Sequence, residues 1–232
     1  MIIINKIIFW DFQGTLAHND WMISKALHKV LLYNEPNTKI TIEQFKKLKI
    51  LGIPWQDYRH DYSYLTIQGA WWKLVESTFE EAYKLLYIDA DRANKYAKQA
   101  HHELVKPDEF KLYDDTVEVL TYFKLNGWKN IILSNHIPEL PDIVNLLGLK
   151  KCIYKCISSA NIGFEKPNHK IYEFALKQFE NPQKVWMVGD SLLADVKGPE
   201  KAGIKGILVR TPKVDNIDYY SKDLLGLKEI IY

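Results

Sequence analysis

Apolar and polar positions divide the chain into two kinds of segment. Residues 7–10 form an unbroken apolar run that stops at Asp11, the pattern of a strand buried on both faces. Residues 130–133 repeat the pattern and stop at Ser134-Asn135; residues 185–188 stop at Gly189-Asp190. Residues 206–209 add a fourth strand and residues 152–157 a weaker one. Helical spacing fills the intervals. It predicts a helix over 114–126, with Val117, Leu120 and Phe123 or Lys124 in step and Gly127 as the stop. A second runs over 138–147 and is closed by Gly148, and a third over 168–179 places Ile171, Phe174, Ala175 and Phe179 on one face. A fourth follows Asp190 and ends at Ala202-Gly203. Strands and helices that alternate through short connections predict an α/β fold, a parallel sheet with helices on both faces.

The middle of the chain lacks that alternation. Between residues 17 and 110 the pattern favours helices over 21–33, 41–51, 64–81 and 90–103, with no convincing strand. This block holds Trp21, Trp55, Tyr58, Tyr62, Tyr64, Trp71 and Trp72, which read mostly as the core of a small helical module. Residues 52–64 are polar as well as aromatic and read as a loop. Neither an internal repeat nor a flexible linker separates the parts.

Composition narrows the possible partners. The chain has 232 residues, 47% hydrophobic and 26% charged, with a formal net charge of +2. That is ordinary globular composition, and without a long basic block nothing calls for nucleic acid. Lys46, Lys47 and Lys49 read as a solvated helix face. Cys152 and Cys156 have no metal-site spacing and read as buried thiols in a reducing compartment. The apolar start, residues 1–10, contains Asn5 and Lys6 and lacks a small-residue cleavage site, so it is not read as a targeting segment. No stretch approaches the ~20 apolar residues that span a bilayer. A cytoplasmic location and no membrane partner are therefore expected.

Four polar segments remain to be explained: Asp11-Phe12-Gln13-Gly14-Thr15, Ser134-Asn135, Lys166-Pro167, and Gly189-Asp190-Ser191 with Asp195. In a parallel sheet the carboxyl ends of the strands converge, and open α/β sheets bind ligands there. Singly each segment is weak, but together and in this order they resemble the haloacid dehalogenase (HAD) superfamily of phosphohydrolases. The run from Val188 to Gly203, Val-Gly-Asp-Ser-Leu-Leu-Ala-Asp-Val-Lys-Gly-Pro-Glu-Lys-Ala-Gly, is a specific version of that family's fourth motif. The resemblance implies a Rossmann-like catalytic core over residues 1–16 and 111–232. The all-helical block, 17–110, then sits where the family inserts its cap domain.

The resemblance also implies roles. Asp11 would be the nucleophile and form an aspartyl phosphate. Asp11, Asp190 and the Gln13 backbone carbonyl would hold Mg²⁺, with Asp195 as metal support or as a first-turn helix acid. Ser134 and the Asn135 amide would bind phosphate oxygens, Gly14 and Thr15 would shape the loop around them, and Lys166 would bridge Asp11 and the phosphoryl group. One position departs from the family. Its phosphatases carry an acid/base aspartate where this chain has Gln13, and glutamine has no titratable proton. General acid–base catalysis is worth ~10²–10⁴-fold.

The expected function is therefore a weakened Mg²⁺-dependent phosphatase acting on a small phosphorylated metabolite, favouring leaving groups that need little protonation. His136 and His18 are candidates for a replacement proton source. The alternative is a catalytically impaired protein that binds a phosphorylated ligand or a partner. Two further family reactions lack the second aspartate. A 2-haloacid dehalogenase needs no metal, and the presence of Asp190 and Asp195 counts against it. A phosphonatase would need a desolvated cap lysine, and none stands out. Trp21, Tyr58, Arg59 and His60 are the cap residues expected to contact substrate, with Arg59 suited to a second anionic group.

Overall fold

The computed structural model describes residues 5–232; Met1 to Ile4, the first part of the apolar amino-terminal run, lie outside the described residues. The chain opens with strands β1 (Lys6–Trp10) and β2 (Ala17–His18). Helices α1 (Met22–Asn34), α2 (Ile42–Lys47), α3 (Ala70–Leu85) and α4 (Ala90–Leu104) follow. Then come strand β3 (Lys111–Leu112), helix α5 (Thr116–Leu125), strand β4 (Trp128–Ser134), helix α6 (Leu140–Leu146) and strand β5 (Lys155–Ser158). Helix α7 (His169–Leu176) leads to strands β6 (Lys184–Gly189), β7 (Lys205–Val209) and β8 (Tyr220–Ser221).

Six strands form one parallel sheet in the order β5-β4-β1-β6-β7-β8, which is the α/β Rossmann-like architecture. Within β1 the side chains alternate between two apolar layers. Ile7 and Phe9 pack with Ile171, Tyr172 and Met187, while Ile8 and Trp10 join the larger cluster that continues into the helical block. That is why the strand is apolar throughout: both faces are covered. Trp10 lies opposite Ile132 of β4 and Val188 of β6. The register brings the carboxyl ends of three neighbouring strands to nearly one level, with Asp11 in the centre.

Helices α1, α3 and α4 pack against one another around Leu27, Phe79 and Tyr83, whose hydroxyl donates to the Leu27 carbonyl at 2.7 Å. An antiparallel ribbon, Ala17 opposite Leu112 and His18 opposite Lys111, carries the chain out of the sheet layer and back. The loop before α3 also rests on the core. The Tyr62 amide donates to the Gly163 carbonyl at 2.9 Å, and Asn168 Nδ2 donates to the Tyr58 carbonyl at 3.0 Å.

Several local expectations need correction. The ribbon strand β2 lies within the block expected to hold none. Helix α3 begins at Ala70, not 64, because residues 63–66 form a separate short turn and Gly69 adopts a left-handed φ of 78°. Helix α2 stops at Lys47, where Leu48 turns extended. Strand β5 begins at Lys155, because residues 149–151 form a tight turn that Cys152 closes. Val117 and Phe174 are partly exposed: α5 buries Val119, Leu120 and Phe123, and α7 buries Ile171, Tyr172 and Ala175, so each buried stripe is shifted round the helix. The stretch after Asp190 is a wide turn of π-helical hydrogen bonding over Leu192–Lys197, then a short helix Gly198–Glu200. Cys152 and Cys156 are half-buried free thiols rather than core residues. No helix among the described residues is long and apolar enough to cross a membrane.

Gly163 shows how tightly the loop is docked. It has a φ of +79°, and an added Cβ would overlap the Ser63 backbone. Gly163→Ala is expected to lose about 1–3 kcal/mol of stability from strain and overpacking. Limited proteolysis should then cut preferentially within residues 53–66. An unchanged melting temperature with an unchanged cleavage pattern would mean that the docking contributes nothing.

Candidate active site

Each polar segment singled out in the sequence reaches the carboxyl edge of the sheet. Asp11 follows β1, and its amide donates to the Val188 carbonyl at 2.9 Å. Ser134, the last residue of β4, donates its hydroxyl to Asp11 Oδ1 at 2.7 Å. Lys166 Nζ lies 3.0 Å from that same oxygen and 2.6 Å from Asp195 Oδ1. Both donors meet at Oδ1 of Asp11. Lys166 is 3% exposed and Asp195 fully buried. Burial works against the Lys166 ammonium, but the Asp11 and Asp195 charges outweigh it and hold its pKa above the ordinary lysine value.

The backbone around Lys166 is fixed by Asn135. Its carboxamide accepts from the Lys166 amide at 2.6 Å and donates to the Lys166 carbonyl at 2.8 Å. Thus the side chain of one predicted phosphate-binding residue clamps another predicted site residue. Gly14 has a φ of +90°, and a Cβ there would fall 2.5 Å from Asp190 Oδ2, so only glycine allows the first loop to approach Asp190. The Thr15 hydroxyl donates to Asp190 Oδ1 at 3.4 Å, a long bond. The Gln13 side chain donates to the Asn19 carbonyl at 3.3 Å and also lines the cavity beside the site.

Asp11, Asp190 and Asp195 each offer an oxygen within 4.8 Å of the others. Burial, then the Asp11 charge, raises the Asp190 pKa; burial also raises that of Asp195, against the pull of Lys166. Three carboxylates facing one ammonium leave an excess of negative charge in a poorly solvated place. An all-oxygen set of that kind fits a hard divalent cation. Asp195 has both oxygens occupied, by Lys166 Nζ and by the Ser191 amide at 3.0 Å. It therefore stands behind Lys166 and the Asp190 loop, while Asp11 and Asp190 face outward.

The remaining sequence candidates fall in different places. His136 is 2% exposed, with the rings of Phe12 and Phe110 each 5.6 Å away, and neither ring nitrogen has a hydrogen-bond partner among the described residues. Burial pushes its pKa down to about 4. His18 lies on the ribbon with its ring 5.1 Å from that of Tyr113. Trp21 lines the cavity, whereas Tyr58, Arg59 and His60 do not. The Arg59 guanidinium sits 5.5 Å from the Tyr58 ring and is exposed. Lys47 and Lys49 are solvated as expected, but Lys46 lines the cavity, paired with Glu43 at 2.8 Å.

Two residues near the site were missed. Arg210, at the end of β7, donates from Nε to the Thr15 carbonyl at 2.7 Å, pairs with Asp115, and stacks 3.8 Å from the Tyr113 ring. A charged residue ending a buried strand was the available signal. Glu165 is 1% exposed with both oxygens unpartnered among the described residues. Burial drives its pKa up to about 7, against smaller lowering by Ser159 and Lys166. Nothing in the sequence distinguishes it from a surface glutamate.

A parallel α/β sheet with a lysine-bridged aspartate cluster at its carboxyl edge defines a hydrolase-type site. Residues 5–203 match the haloacid dehalogenase-like hydrolase family, and the chain belongs to that family. It is 27% identical over 150 residues to bovine haloacid dehalogenase-like hydrolase domain-containing protein 3, a match covering 64% of this chain and 59% of that protein. It is 27% identical over 244 residues to the glyceraldehyde 3-phosphate phosphatase of Methanothermobacter thermautotrophicus, covering 97% of this chain and 99% of that one. The fold is shared with the 2-haloacid dehalogenase of Pseudomonas syringae, with a TM-score of 0.70, 18% identity, and coverage of 98% of both chains.

Glu165 gives a test with a definite sign. Its folded pKa, about 7, lies above the ordinary glutamate value of 4.5, so its contribution is present below 4.5 and lost as pH rises through 7. Thermal unfolding of Glu165→Gln and the parent should therefore agree near pH 4.5. By pH 8 the variant should lead by up to about 3 kcal/mol. A difference independent of pH would mean that the carboxyl is solvated or paired.

Proposed function

We propose that this chain is a Mg²⁺-dependent phosphohydrolase that acts on a small phosphorylated metabolite through an aspartyl-phosphate intermediate. The observation that carries this reading is the meeting of Ser134 and Lys166 at Oδ1 of Asp11, beside Asp190. Similarity to a glyceraldehyde 3-phosphate phosphatase along almost the whole chain supports a small phosphate ester as substrate. The presence of both Asp190 and Asp195 favours phosphate over haloacid chemistry. Lys46, ion-paired with Glu43, does not stand as a desolvated Schiff-base lysine.

Asp11 attacks phosphorus with the oxygen not engaged by Ser134 and Lys166, forming the O–P bond as the leaving oxygen departs. Water then opens the aspartyl phosphate and releases inorganic phosphate. Lys166 and the Ser134 hydroxyl offset the charge that builds on the phosphoryl oxygens. A Mg²⁺ held by Asp11, Asp190 and the Gln13 carbonyl would neutralise the repulsion between carboxylate and phosphate. Gln13 supplies no proton, and His136, neutral at physiological pH, is no acid either. Leaving groups that depart without protonation, such as acyl and aryl phosphates, are accordingly the substrates of choice. The same lack supports a second reading, binding of a phosphorylated ligand without turnover.

Phosphate release from an aryl phosphate should require Mg²⁺ and vanish in Asp11→Asn. Gln13→Asp should raise turnover of alkyl phosphates by about 10²–10⁴-fold. If the parent is silent while Gln13→Asp is active, the binding reading replaces the enzymatic one. Metal binding has its own readout: Mg²⁺ should raise the melting temperature of the parent and not that of Asp190→Asn. Release that proceeds equally in a chelator would remove Mg²⁺ from the reading.

A further inference from the structure

A cavity of about 450 Å³ opens beside Gln13 between the first loop of the core and the helical block. Trp21 and Trp55 contribute indoles, and Ile23, Leu48, Ile50 and Ile53 contribute aliphatic surface. None of its lining residues is acidic.

The polar groups in the lining are mostly committed elsewhere. Gln56 donates to the Ile50 carbonyl at 2.6 Å and accepts from the Gly52 and Ile53 amides at 3.0 and 3.2 Å. The Asn135 carboxamide is taken up by the Lys166 backbone. Lys46 shares its charge with Glu43 and lies 5.5 Å from the Trp21 ring centre. His136 lines the cavity on the core side, but both of its ring nitrogens are fully buried, so neither is open to a ligand there.

We propose that this cavity is the leaving-group subsite and takes a flat, uncharged aromatic group. The inference rests on the phosphohydrolase reading and names its substrate class. Aromatic walls favour a planar group, because indole faces stack on rings of any kind. A leaving group with a second anionic centre would find one cation, already paired with Glu43. The reading also agrees with Gln13: an aryl or aroyl leaving group departs without the proton that this site lacks.

The test compares benzoyl phosphate with acetyl phosphate, two acyl phosphates whose leaving acids are of similar strength, so that the ring alone differs. The expected kcat/KM for benzoyl phosphate is about tenfold higher or more, the effect of burying a phenyl ring. Trp55→Ala should bring the ratio toward one. Equal values for the parent, or preference for acetyl phosphate, overturn the proposal while leaving the phosphohydrolase reading intact.

Hydrolysis of neither compound would count against the phosphohydrolase reading, and binding then decides the subsite. Calorimetry with benzylphosphonate and ethylphosphonate should show about tenfold tighter binding of the ring compound. Equal affinity overturns the proposal.

Discussion

The ammonium of Lys166, held between Asp11 and Asp195 out of contact with water, is the interaction on which the rest of the structure depends. A buried charge is tolerable only with partners, and removing one partner of such a pair typically destabilises by about 3–5 kcal/mol. Three strand ends must therefore keep their register for the lysine to be satisfied. Asn135 closes the arrangement by clamping the Lys166 backbone. The excess negative charge left among the carboxylates makes the site attractive to a cation.

The same segment carries the helical block. Gly163 and Asn168 flank Lys166 in sequence and receive the loop that contains Tyr58 and Tyr62. On the other side, Arg210 ties the first loop to Asp115 and Tyr113, next to the ribbon by which the chain enters and leaves the helical block. Trp72 Nε1 donates to Glu139 at 2.8 Å, and His101 stacks 3.7 Å from the Trp72 ring, giving a third tie between the two layers. The helical block is thus placed by contacts that also shape the carboxyl edge of the sheet, and the cavity lies beside them.

Much of this was legible in the sequence. Strands that end on Asp11, Ser134 and Gly189-Asp190 could be read from their apolar runs, and their order gave the family. Helix faces were read less well. Val117 and Phe174 fit a helical period yet lie partly in solvent, because a stripe is defined by what packs against it and not by spacing alone. Arg59 looked well suited to an anion but is exposed and does not line the cavity, while Lys46, taken for a solvated residue, lines it. The partners that decide such cases lie far away along the chain.

The sequence by itself determined the alternation of strands and helices, the place of the inserted helical block, and the absence of a titratable group at Gln13. These are properties of composition and period, which are local. Only the tertiary structure decided that Asp195 would anchor Lys166, that Glu165 would be buried unpaired, and that His136 would be buried with both ring nitrogens unpartnered. Burial and partnership are set when segments a hundred or more residues apart are brought to one sheet edge, and a linear pattern carries no record of that distance.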